Sequence, residues 1–299
     1  MKNPLLSVVS VNWNRSDDLV KMLSTLQEQT YKNVEIIVVD NASSDGSVVE
    51  VKKKFPKVKV VELPQNIGLS AGFNRGVKEA HGEIIFGIDN DGVVEDSKLL
   101  SRIAEKFNNP KLNLLACIVK DYHTREERPN VPARLSSGNP KDGYDCLQFD
   151  GCGFAIRKSL FERVGGFQED YFIYCGEMNL AIKCIDAGSS CKFFPDLVVY
   201  HAQSDKSRSR LGDYYAVRNL LWWYWEFFPL YDLAKRGFGF GPVAKKLVSG
   251  IPPSYNTLRG IVDALIALPR IIKRRKPLSK ETMQHFYRVV EEQKSASRH

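Results

Sequence analysis

Two carboxylates stand two residues apart in Asp89-Asn90-Asp91, directly after the apolar run 83–88. When the chain turns at the end of a strand, both side chains can point into one cleft and bind a hard divalent cation. Mg²⁺ and Mn²⁺ prefer such oxygen ligands and keep coordination positions for substrate phosphates. The same residue types are also typical of a polar turn. The tripeptide alone therefore leaves a metal site and a turn as equal alternatives.

A further acidic residue, Asp40, ends the apolar run 34–39. At the end of a strand in a nucleotide-binding sheet, a carboxylate accepts hydrogen bonds from a ribose or a base. The alternative role is the N-cap of the following helix, for which Ser43 or Asp45 is better placed. The sequence thus favours ligand binding for Asp40.

A glycine-rich segment, Asn66-x-Gly68-x-x-x-Gly72-x-Asn74-x-Gly76, follows the third apolar run. Glycine lets the backbone approach a ligand closely and allows a tight passage from strand to helix. The spacing matches neither G-x-G-x-x-G nor the P-loop. Hydride transfer and phosphoryl transfer by those routes therefore lose support.

Four short apolar runs, 5–11, 34–39, 58–63 and 83–88, alternate with amphipathic helical patterns in the first third of the chain. This alternation predicts an α/β fold whose parallel sheet is buried on both faces. Open parallel sheets bind ligands beyond the carboxyl ends of their strands, which is where the polar residues above lie.

The later elements are predicted with the same rules. We expect a long surface loop at 121–148 with a short hairpin as an option, helices at 159–164, 177–187, 213–228 and 258–272, and a strand at 191–199 that leads to His201.

The composition is that of a globular protein, because 43% of its 299 residues are hydrophobic and 26% are charged. Disordered and fibrous chains are excluded. Residues 1–204 carry 25 Lys and Arg against 27 Asp and Glu, whereas residues 205–299 carry 18 against 8. We therefore predict a first domain at 1–204 and a basic, aromatic helical region at 205–299. The six cysteines form no C-x-x-C pair, which favours reduced structural thiols over a zinc site.

No uncharged run reaches the roughly 18 residues that a membrane-spanning helix needs. No cleavage pattern of a secretory signal follows the first residues, so the sequence predicts a cytoplasmic protein. The C-terminal aromatic residues and the basic cluster 273–276 are typical of a segment that contacts an anionic membrane surface. The alternative is that the aromatic residues pack on the first domain and the cluster is solvated.

Several segments occur in an order typical of one enzyme family. They are Val38-Val39-Asp40-Asn41-Ala42-Ser43-Ser44-Asp45-Gly46-Ser47, the glycine-rich segment 66–76, Asp89-Asn90-Asp91, Gly165-Gly166-Phe167-x-Glu169, Phe172-x-Tyr174 and His201-x-x-Ser204. Together they resemble the family 2 glycosyltransferases of GT-A fold, in the rhamnosyltransferase-like branch, over residues 5–204. The resemblance implies a Rossmann-like mixed, mostly parallel sheet flanked by helices, with a C-terminal helical extension. It also implies that residues 1–204 bind the nucleotide sugar and carry out catalysis.

The resemblance implies roles for individual residues. Donor binding is expected of Asn12, Asn14, Asp40, Asn66, Gly68, Gly72, Asn74, Asp89 and Asn90, and metal binding of Asp89, Asp91 and His201. The acceptor side is expected to include Asp150, Gly151, Arg157, Tyr174 and Arg218, the last within a tyrosine and R-N motif made of Tyr214, Tyr215, Arg218 and Asn219. A lone histidine is as often structural, and that alternative stays open for His201.

The family's catalytic segment reads E-D-x-D-L, whereas this sequence has Gly176-Glu177-Met178-Asn179-Leu180. Glu177 takes the position of the catalytic aspartate and retains a carboxylate that can remove a proton. The alternative for Glu177 is a favourable charge at a helix N-terminus. The departures at Gly176 and Asn179 also leave open a module that binds nucleotide sugars without chemistry.

The resemblance as a whole implies an inverting glycosyltransferase that uses Mn²⁺ or Mg²⁺. Its expected donor is a dTDP-, UDP- or GDP-linked sugar such as rhamnose, and its expected acceptor is a glycan or a lipid-linked glycan of a surface polysaccharide. A sugar-phosphate nucleotidyltransferase would need a G-G-x-G-T-R-like loop where Asn12-Trp13-Asn14-Arg15 stands. A processive synthase would need transmembrane helices and a Q-x-x-R-W signature. The basic tail leaves a nucleic-acid-binding module as an alternative, although we expect no nucleic acid partner.

Overall fold

The computed structural model describes residues 3–128, 139–202, 211–235, 237–239 and 254–296. The predicted motif residue Ser204 lies outside these ranges, as do parts of the loop 121–148 and of the C-terminal region.

Four parallel strands form the first half of the sheet, in the spatial order β3, β2, β1, β4. Their bounds are Leu6–Asn12 for β1, Val34–Asp40 for β2, Lys59–Glu62 for β3 and Ile84–Gly87 for β4, and the connecting helices are α1 (Ser16–Gln27), α2 (Ser47–Lys54) and α3 (Leu69–Lys78). β1 and β2 pair in register up to Asn12 and Asp40, so their last polar residues lie side by side. The predicted alternation of parallel strands and helices is confirmed.

The second half of the sheet mixes strand directions. It comprises β5 (Gly92–Val93), β6 (Leu114–Asp121), β7 (Tyr144–Asp145), β8 (Phe154–Arg157) and β9 (Cys191–His201), with helices α4 (Leu99–Lys106), α5 (Lys158–Arg163) and α6 (Gly176–Asp186). β8 runs antiparallel to β4 and β6, whereas β6 and β9 are parallel. The short strand β5 pairs with the end of β9 and sets Gly92 opposite His201. This pairing brings His201 beside the Asp89-Asn90-Asp91 turn.

Within the predicted loop 121–148, the described residues contain two short pairings. A single antiparallel bridge joins Lys120 to Glu127, and β7 pairs with β9. The second pairing ties the end of the loop to the sheet rather than to a neighbouring strand of a local hairpin.

Both faces of the sheet are buried, as predicted for a parallel sheet covered by helices. Alternate strand residues point to opposite faces, so Val9 and Ile37 join one apolar cluster while Val8 and Val38 join the other. The first cluster includes side chains of α3 and α6, and the second includes those of α1 and α4. Each large aliphatic side chain that is fully buried stabilises the fold by about 1.5–3 kcal/mol relative to an exposed one.

Five α-helices lie in the described C-terminal residues. They are α7 (Gly212–Phe227), α8 (Leu230–Lys235), α9 (Tyr255–Ile266), α10 (Leu268–Arg274) and α11 (Lys280–Ala296). The prediction of one helix over 258–272 was wrong, because α9 ends before Ala267 and a separate helix follows. Pro269 stands in the first turn of α10, where a missing backbone N–H is tolerated. The same proline could not continue α9, because it has no N–H to donate inside a helix.

The aromatic side chains of α7 point into the protein. Trp222, Trp223 and Trp225 are buried and belong to the cluster that contains sheet residues such as Ile118 and Phe193. The structure therefore agrees with the alternative in which the aromatic residues pack on the first domain. The exposed apolar side chains of the C-terminal region lie mainly on α9 instead.

No helix in the described part of the chain combines the length and the apolarity needed to cross a membrane.

Candidate active site

Polar side chains at the carboxyl ends of β1, β2 and β4 form one hydrogen-bonded network, which we call the donor edge. The Asn90 amide donates to Asn12 Oδ1 (2.9 Å), and the Asn12 amide donates to Asp40 Oδ1 (3.1 Å). The backbone N–H of Ser43 donates to the second oxygen of Asp40 (2.9 Å). Asn12 and Asp40 are buried. The structure thus brings three predicted donor-binding residues together.

Two further side chains shape the loops that border the donor edge. Asn14 adopts a left-handed backbone with φ 54°, and its Oδ1 accepts from the Ser44 backbone N–H (2.7 Å). Asp45 accepts from the backbone N–H of Ser47 (3.0 Å), the first residue of α2, and from that of Ser16 (2.9 Å). Asp45 rather than Asp40 therefore serves the start of α2.

Gly72 and Gly76 serve the packing of α3 against the sheet. A Cβ on Gly72 would lie 3.0 Å from Val11 Cγ1, and one on Gly76 would lie 2.4 Å from Val9 Cγ1. These two glycines occupy one helical face and let the backbone of α3 approach β1. The predicted close approach at Gly72 is thus made to a strand of the sheet.

Gly68 and Asn74 of the glycine-rich segment contact loops from the second half of the chain, whereas Asn66 bonds within the segment. Gly68 has φ +89°, and a Cβ there would lie 2.6 Å from the Phe172 ring. Asn66 Oδ1 accepts from the Gly68 backbone N–H (2.9 Å). Asn74 holds the backbone of Phe167, since its amide donates to the carbonyl (2.9 Å) and its Oδ1 accepts from the N–H (2.9 Å).

Asp91 and His201 form a buried ion pair where β5 meets β9. His201 Nε2 lies 2.8 Å from Asp91 Oδ1, and Arg15 contacts Asp91 Oδ2 at 3.0 Å. Burial alone would raise the pKa of Asp91, but the hydrogen bond and charge of His201 and the charge of Arg15 lower it. Burial alone would lower the pKa of His201, but Asp91 and then Asp89 raise it. Each group therefore favours the charged form of the other, and a bound cation would need the neutral imidazole of His201.

Asp89 lies next to this pair, but at Asp89 burial outweighs the charges that favour the ionised carboxylate. Its Oδ2 is 3.7 Å from His201 Nε2. Burial raises the pKa of Asp89 to about 7, the charge of His201 opposes that rise, and the charges of Asp91 and Asp150 add to it. A bound cation would favour the ionised carboxylate.

The residues present fit a divalent cation. Ligand atoms of Asp89, Cys152 and His201 all lie within 4.8 Å of one another. His201 Nδ1 is buried and has no hydrogen-bond partner in the described part of the chain. Carboxylate oxygen is the ligand that Mg²⁺ and Mn²⁺ prefer, and imidazole is a common additional ligand. Burial raises the pKa of the Cys152 thiol, so Asp89 and His201 are the better donors.

Glu177 faces the same cleft from the first turn of α6. A Cβ on Gly151 would lie 2.9 Å from Glu177 Oε1 and 3.7 Å from Asp89 Oδ1, so the Gly151 backbone stands between the two carboxylates. Burial raises the pKa of Glu177 to about 7; a backbone hydrogen bond opposes the rise and the charges of Asp150 and Asp89 add to it. A carboxylate that titrates near neutrality is suited to accept a hydroxyl proton.

An open cavity connects Asp89 and Glu177. Asp89, Gly151, Tyr174 and Glu177 line it together with apolar residues such as Phe154 and Phe167, and Ser70 adds a hydroxyl. Small-molecule sites commonly combine an apolar lining with a few polar groups. Beside the cavity, Asp150 accepts from Arg128 (2.8 Å). Four predicted residues of the catalytic and acceptor sides therefore meet here.

Two predicted acceptor residues lie away from the cavity. Arg157 donates to the backbone carbonyls of Phe107 (2.7 Å) and Leu112 (3.0 Å). The register pairs Arg157 with Ile84 at the start of β4, whereas the cleft lies beyond the other end of that strand. Arg218 donates to the Asp170 carbonyl (2.9 Å) in the loop before α6. Both arginines bind backbone rather than the cavity.

Two residues of the site were not predicted from the sequence. Cys152 lies among the metal-ligand candidates, and Arg15 holds Asp91. Cys152 belongs to no C-x-x-C pair, because its partners in the cluster, Asp89 and His201, come from distant parts of the chain. Arg15 had one local signal, its position between the end of β1 and the start of α1.

Sequence comparisons place these residues in a known context. The model of glycosyl transferase family 2 matches residues 7–165. An uncharacterized glycosyltransferase of Haemophilus influenzae is 27% identical over 183 residues, which cover 56% of this chain and 60% of that one. An N-acetylglucosaminyl-diphospho-decaprenol L-rhamnosyltransferase of Mycobacterium tuberculosis is 22% identical over 234 residues (66% and 76%). A GalNAc(5)-diNAcBac-PP-undecaprenol beta-1,3-glucosyltransferase of Campylobacter jejuni is 30% identical over 177 residues (56% and 56%). The chain thus spans between about half and three quarters of the length of these relatives.

Solved structures agree with the fold. A mannosyltransferase of Pyrobaculum calidifontis in complex with GDP-Man and Mn²⁺ superposes with a TM-score of 0.61 at 19% identity, covering 92% of this chain and 74% of that one. S. aureus TarS 1-349 in complex with UDP-GlcNAc gives a TM-score of 0.62 at 17% identity (90% and 83%). These likenesses confirm the predicted GT-A type sheet with flanking helices.

Proposed function

Because the chain belongs to glycosyl transferase family 2, we propose that it transfers a sugar from a nucleoside diphosphate to a hydroxyl group with inversion of configuration. The proposed acceptor is a glycan on a lipid diphosphate, and the proposed pathway is surface polysaccharide synthesis. The names of two relatives support this acceptor, since they contain a diphospho-decaprenol and a PP-undecaprenol. Rhamnose is the proposed sugar, as in the name of the mycobacterial relative.

The single observation that carries the proposal is the pair of carboxylates on either side of Gly151. Asp89 and Glu177 line one cavity, yet they differ in their neighbours. Asp89 lies beside His201 and Asp91, a setting suited to a cation and a diphosphate. Glu177 lies in the cavity lining, where burial raises its pKa to about 7, so it is suited to accept a proton.

In the proposed reaction the bond between the anomeric carbon and the diphosphate oxygen breaks. The acceptor oxygen forms its bond to that carbon on the opposite face, and Glu177 takes the proton of the acceptor hydroxyl. The nucleoside diphosphate leaves with the electron pair of the broken bond. One displacement of this kind inverts the configuration. Because the pKa of Glu177 is about 7, much of it is ionised at neutral pH and can act as a base.

Asp89 and His201 are the residues that would hold Mn²⁺ or Mg²⁺, with the Cys152 thiol within reach. Asp91, the other predicted ligand, contacts His201 and Arg15 instead. A bound divalent cation supplies positive charge that stabilises a leaving diphosphate. Asp91 orients His201, and Arg15 keeps Asp91 in place. The donor edge, through Asp40, would orient the nucleoside.

The proposal is tested by turnover together with donor binding. Mn²⁺ with dTDP, UDP or GDP should raise the melting temperature, and a selective response would identify the base. Glu177→Gln should lower turnover by about 10²–10⁴-fold and retain that stabilisation. The exposed Glu105→Gln on α4 serves as the matched control and should behave like the wild type. Stabilisation by none of the nucleotides, or full turnover in Glu177→Gln, would contradict the proposal.

A lipid-linked acceptor also suggests how the protein reaches it. Five apolar side chains of α9, namely Tyr255, Leu258, Val262, Leu265 and Ile266, are exposed by 47 to 78%. Their spacing places most of them on one helical stripe. Arg259, Arg270 and Lys273 of α9 and α10 add positive charge to the same two helices. An apolar stripe with basic residues is typical of a helix that lies in an anionic lipid surface. We therefore propose that α9 contacts an anionic membrane surface.

Vesicle co-sedimentation tests this contact. The protein should bind vesicles that contain phosphatidylglycerol and bind pure phosphatidylcholine vesicles less. Replacing Leu258 and Val262 with Glu should abolish binding, because both changes place a charge on the stripe. The control Leu230→Glu alters a residue of α8 that is 70% exposed. Unchanged binding by the α9 variant would contradict the contact.

A further inference from the structure

We propose that Asn219 is a positioning residue for Glu177. Its buried side chain holds the entry loop, residues 170–175, in the shape that brings Tyr174 and Glu177 to the cavity, and Arg218 fixes the orientation of its amide. The proposal rests on the proposed function, since it assumes that Glu177 is the catalytic base.

The entry loop has a backbone shape that needs external support. Phe172, Tyr174 and Cys175 have φ values of 66°, 66° and 61°, a left-handed region that residues with side chains rarely adopt. Such conformations persist only where surrounding contacts enforce them. Cys175 precedes the first residue of α6, and Glu177 is the second residue of that helix. The end of the loop therefore determines where the Glu177 carboxylate lies.

Asn219 supplies the contacts that the loop needs. Its side chain is fully buried in α7, and its Nδ2 donates to the carbonyls of Tyr171 (2.9 Å), Ile173 (2.8 Å) and Tyr174 (3.0 Å). A side-chain amide has two N–H groups, so one of them is shared between two carbonyls. Tyr171 and Ile173 stand on either side of the left-handed Phe172, and Tyr174 is itself left-handed. One amide thus fixes the path of most of the loop.

Arg218 determines which way that amide points. Its Nε and a terminal nitrogen donate to Asn219 Oδ1 at 3.0 and 2.9 Å. A guanidinium can only donate hydrogen bonds, so the atom it contacts must be the amide oxygen, and the nitrogen must face the loop. The same terminal nitrogen donates to the carbonyls of Asp170 (2.9 Å) and Tyr171 (3.2 Å).

The opposite side of the entry loop contacts the start of α3. The Ser70 backbone N–H donates to the Phe172 carbonyl (3.3 Å), and Gly68 leaves room for the Phe172 ring. That ring also stacks on Tyr215 of α7, with centroids 5.2 Å apart. The loop is therefore held between α3 and α7. This placement gives the R-N motif a role in the site without any contact with the cavity.

The test separates positioning from general stabilisation. Asn219→Asp keeps the volume but turns the donor into an acceptor that faces three carbonyls. We expect kcat to fall by about a hundredfold, because a small displacement of a catalytic group has an effect of that size. The donor KM and the melting-temperature shift with Mn²⁺ and nucleotide should stay close to wild type. Arg218→Met should lower kcat by a smaller factor, and Arg218→Lys, which keeps a donor, should recover part of it.

Trp225→Phe is the matched control on the same helix. It removes a buried hydrogen bond from Trp225 Nε1 to the Phe238 carbonyl (2.8 Å), away from the entry loop. We expect it to lower the melting temperature and to leave kcat unchanged. It therefore shows what a loss of stability in α7 does by itself.

The kinetic outcomes decide whether Asn219 positions Glu177. A wild-type kcat in Asn219→Asp, or a loss of kcat that is accompanied by loss of nucleotide-dependent stabilisation, would overturn the inference. If Asn219→Asp does not fold, the Arg218 pair decides: equal kcat in Arg218→Met and wild type overturns the inference, and a selective loss of kcat that Arg218→Lys relieves supports it. Full turnover in Glu177→Gln would instead refute the proposed function and leave the loop contacts intact.

Discussion

The donor edge and the opposite wall of the cleft are stabilised in different ways. Asn12, Asp40 and Asn90 stand at the ends of neighbouring parallel strands or directly after them and bond to one another. Glu177 stands on a helix that follows a loop with three left-handed residues. The first arrangement follows from strand register, whereas the second needs contacts from a helix about forty residues further along the chain.

The two sides also differ in their electrostatics. His201 and Arg15 keep Asp91 ionised on the donor side. Burial raises the pKa of Glu177 to about 7 on the other side, and the charges of Asp150 and Asp89 add to that rise. Burial has the same effect on Asp89, but there the charge of His201 opposes it. A charged, cross-linked edge is suited to bind a diphosphate, and a dry wall is suited to transfer a proton. Substitutions at the donor edge should therefore affect binding and turnover together, and substitutions at the wall should affect turnover alone.

The largest expected effect is that of Asp89→Asn. It removes a carboxylate whose Oδ2 lies 3.7 Å from His201 Nε2, so turnover should fall on the order of a thousandfold and stabilisation by Mn²⁺ should disappear. Steady-state kinetics and thermal shifts with and without Mn²⁺ measure both. The control is Asp196→Asn, an exposed partner of Lys106. Undiminished Mn²⁺ stabilisation in Asp89→Asn would mean that Asp89 does not bind the metal.

Gly151→Ala should have the next largest effect and should spare binding. The added methyl would lie 2.9 Å from Glu177 Oε1 and would displace that carboxylate. We expect kcat to fall by about a hundredfold with unchanged nucleotide-dependent stabilisation.

Gly153→Ala is its matched control. The added Cβ would lie 3.1 Å from Cys117 Cβ and from Val199 Cγ2 inside the core. This variant should lose stability and keep its kcat. The same kcat in both variants would mean that Glu177 has room to move and that the wall is less rigid than proposed.

Gly76→Ala tests the scaffold of the donor edge. A Cβ there would lie 2.4 Å from Val9 Cγ1 and 3.0 Å from Val39 Cγ2, so α3 would be pushed away from the sheet. Overpacking of this kind lowers the free energy of unfolding by about 1–3 kcal/mol. Gly72→Ala, whose shortest contact is 3.0 Å, should lower it less. Urea unfolding measures both, and the reverse order would contradict the packing role of these glycines.

The difference between the two sides also decides what the sequence could predict. The donor edge follows from local patterns, because an apolar run that ends in Asp40 or Asp89 implies a strand end, and parallel strand ends meet. The register of β8 was not predictable in this way, so Arg157 was expected at the acceptor side although it binds carbonyls near α4. Asn74 was expected to bind the donor, but its side chain holds the Phe167 backbone. Such contacts join residues far apart in the chain and have no local signature.

The position of Glu177 depends even more on contacts between residues that are far apart in the chain. The segment around Glu177 was recognised from its order among the motifs, but nothing near it indicates a loop held by Asn219. The buried aromatic residues of α7 could not be assigned to the core rather than to a membrane, since both environments favour Trp and Tyr. The position of His201 was predicted by resemblance, and its physical cause is the pairing of β5 with the end of β9.

The smallest effect concerns Lys183, which shares α6 with Glu177 and donates to the Gly166 carbonyl (2.5 Å). Burial lowers the pKa of Lys183 from 10.5 to about 8, and the charges of Cys184 and Glu226 oppose this. Between these two values the unfolded chain binds more protons than the folded one, so this lysine makes the free energy of unfolding rise with pH, by at most about 1.4 kcal/mol per pH unit.

Lys183→Met removes that dependence and keeps the other titrating groups. Among these, the Cys184 thiol loses the charge of Lys183, which lowers its pKa in the wild type. Urea unfolding at pH 8 and pH 9 should therefore show the stability of the wild type rising by about 1 kcal/mol relative to Lys183→Met. A rise would mean that burial disfavours charge at Lys183 as it does at Glu177, two of the titratable groups of α6. A constant difference would mean that Lys183 keeps an ordinary pKa in the folded protein.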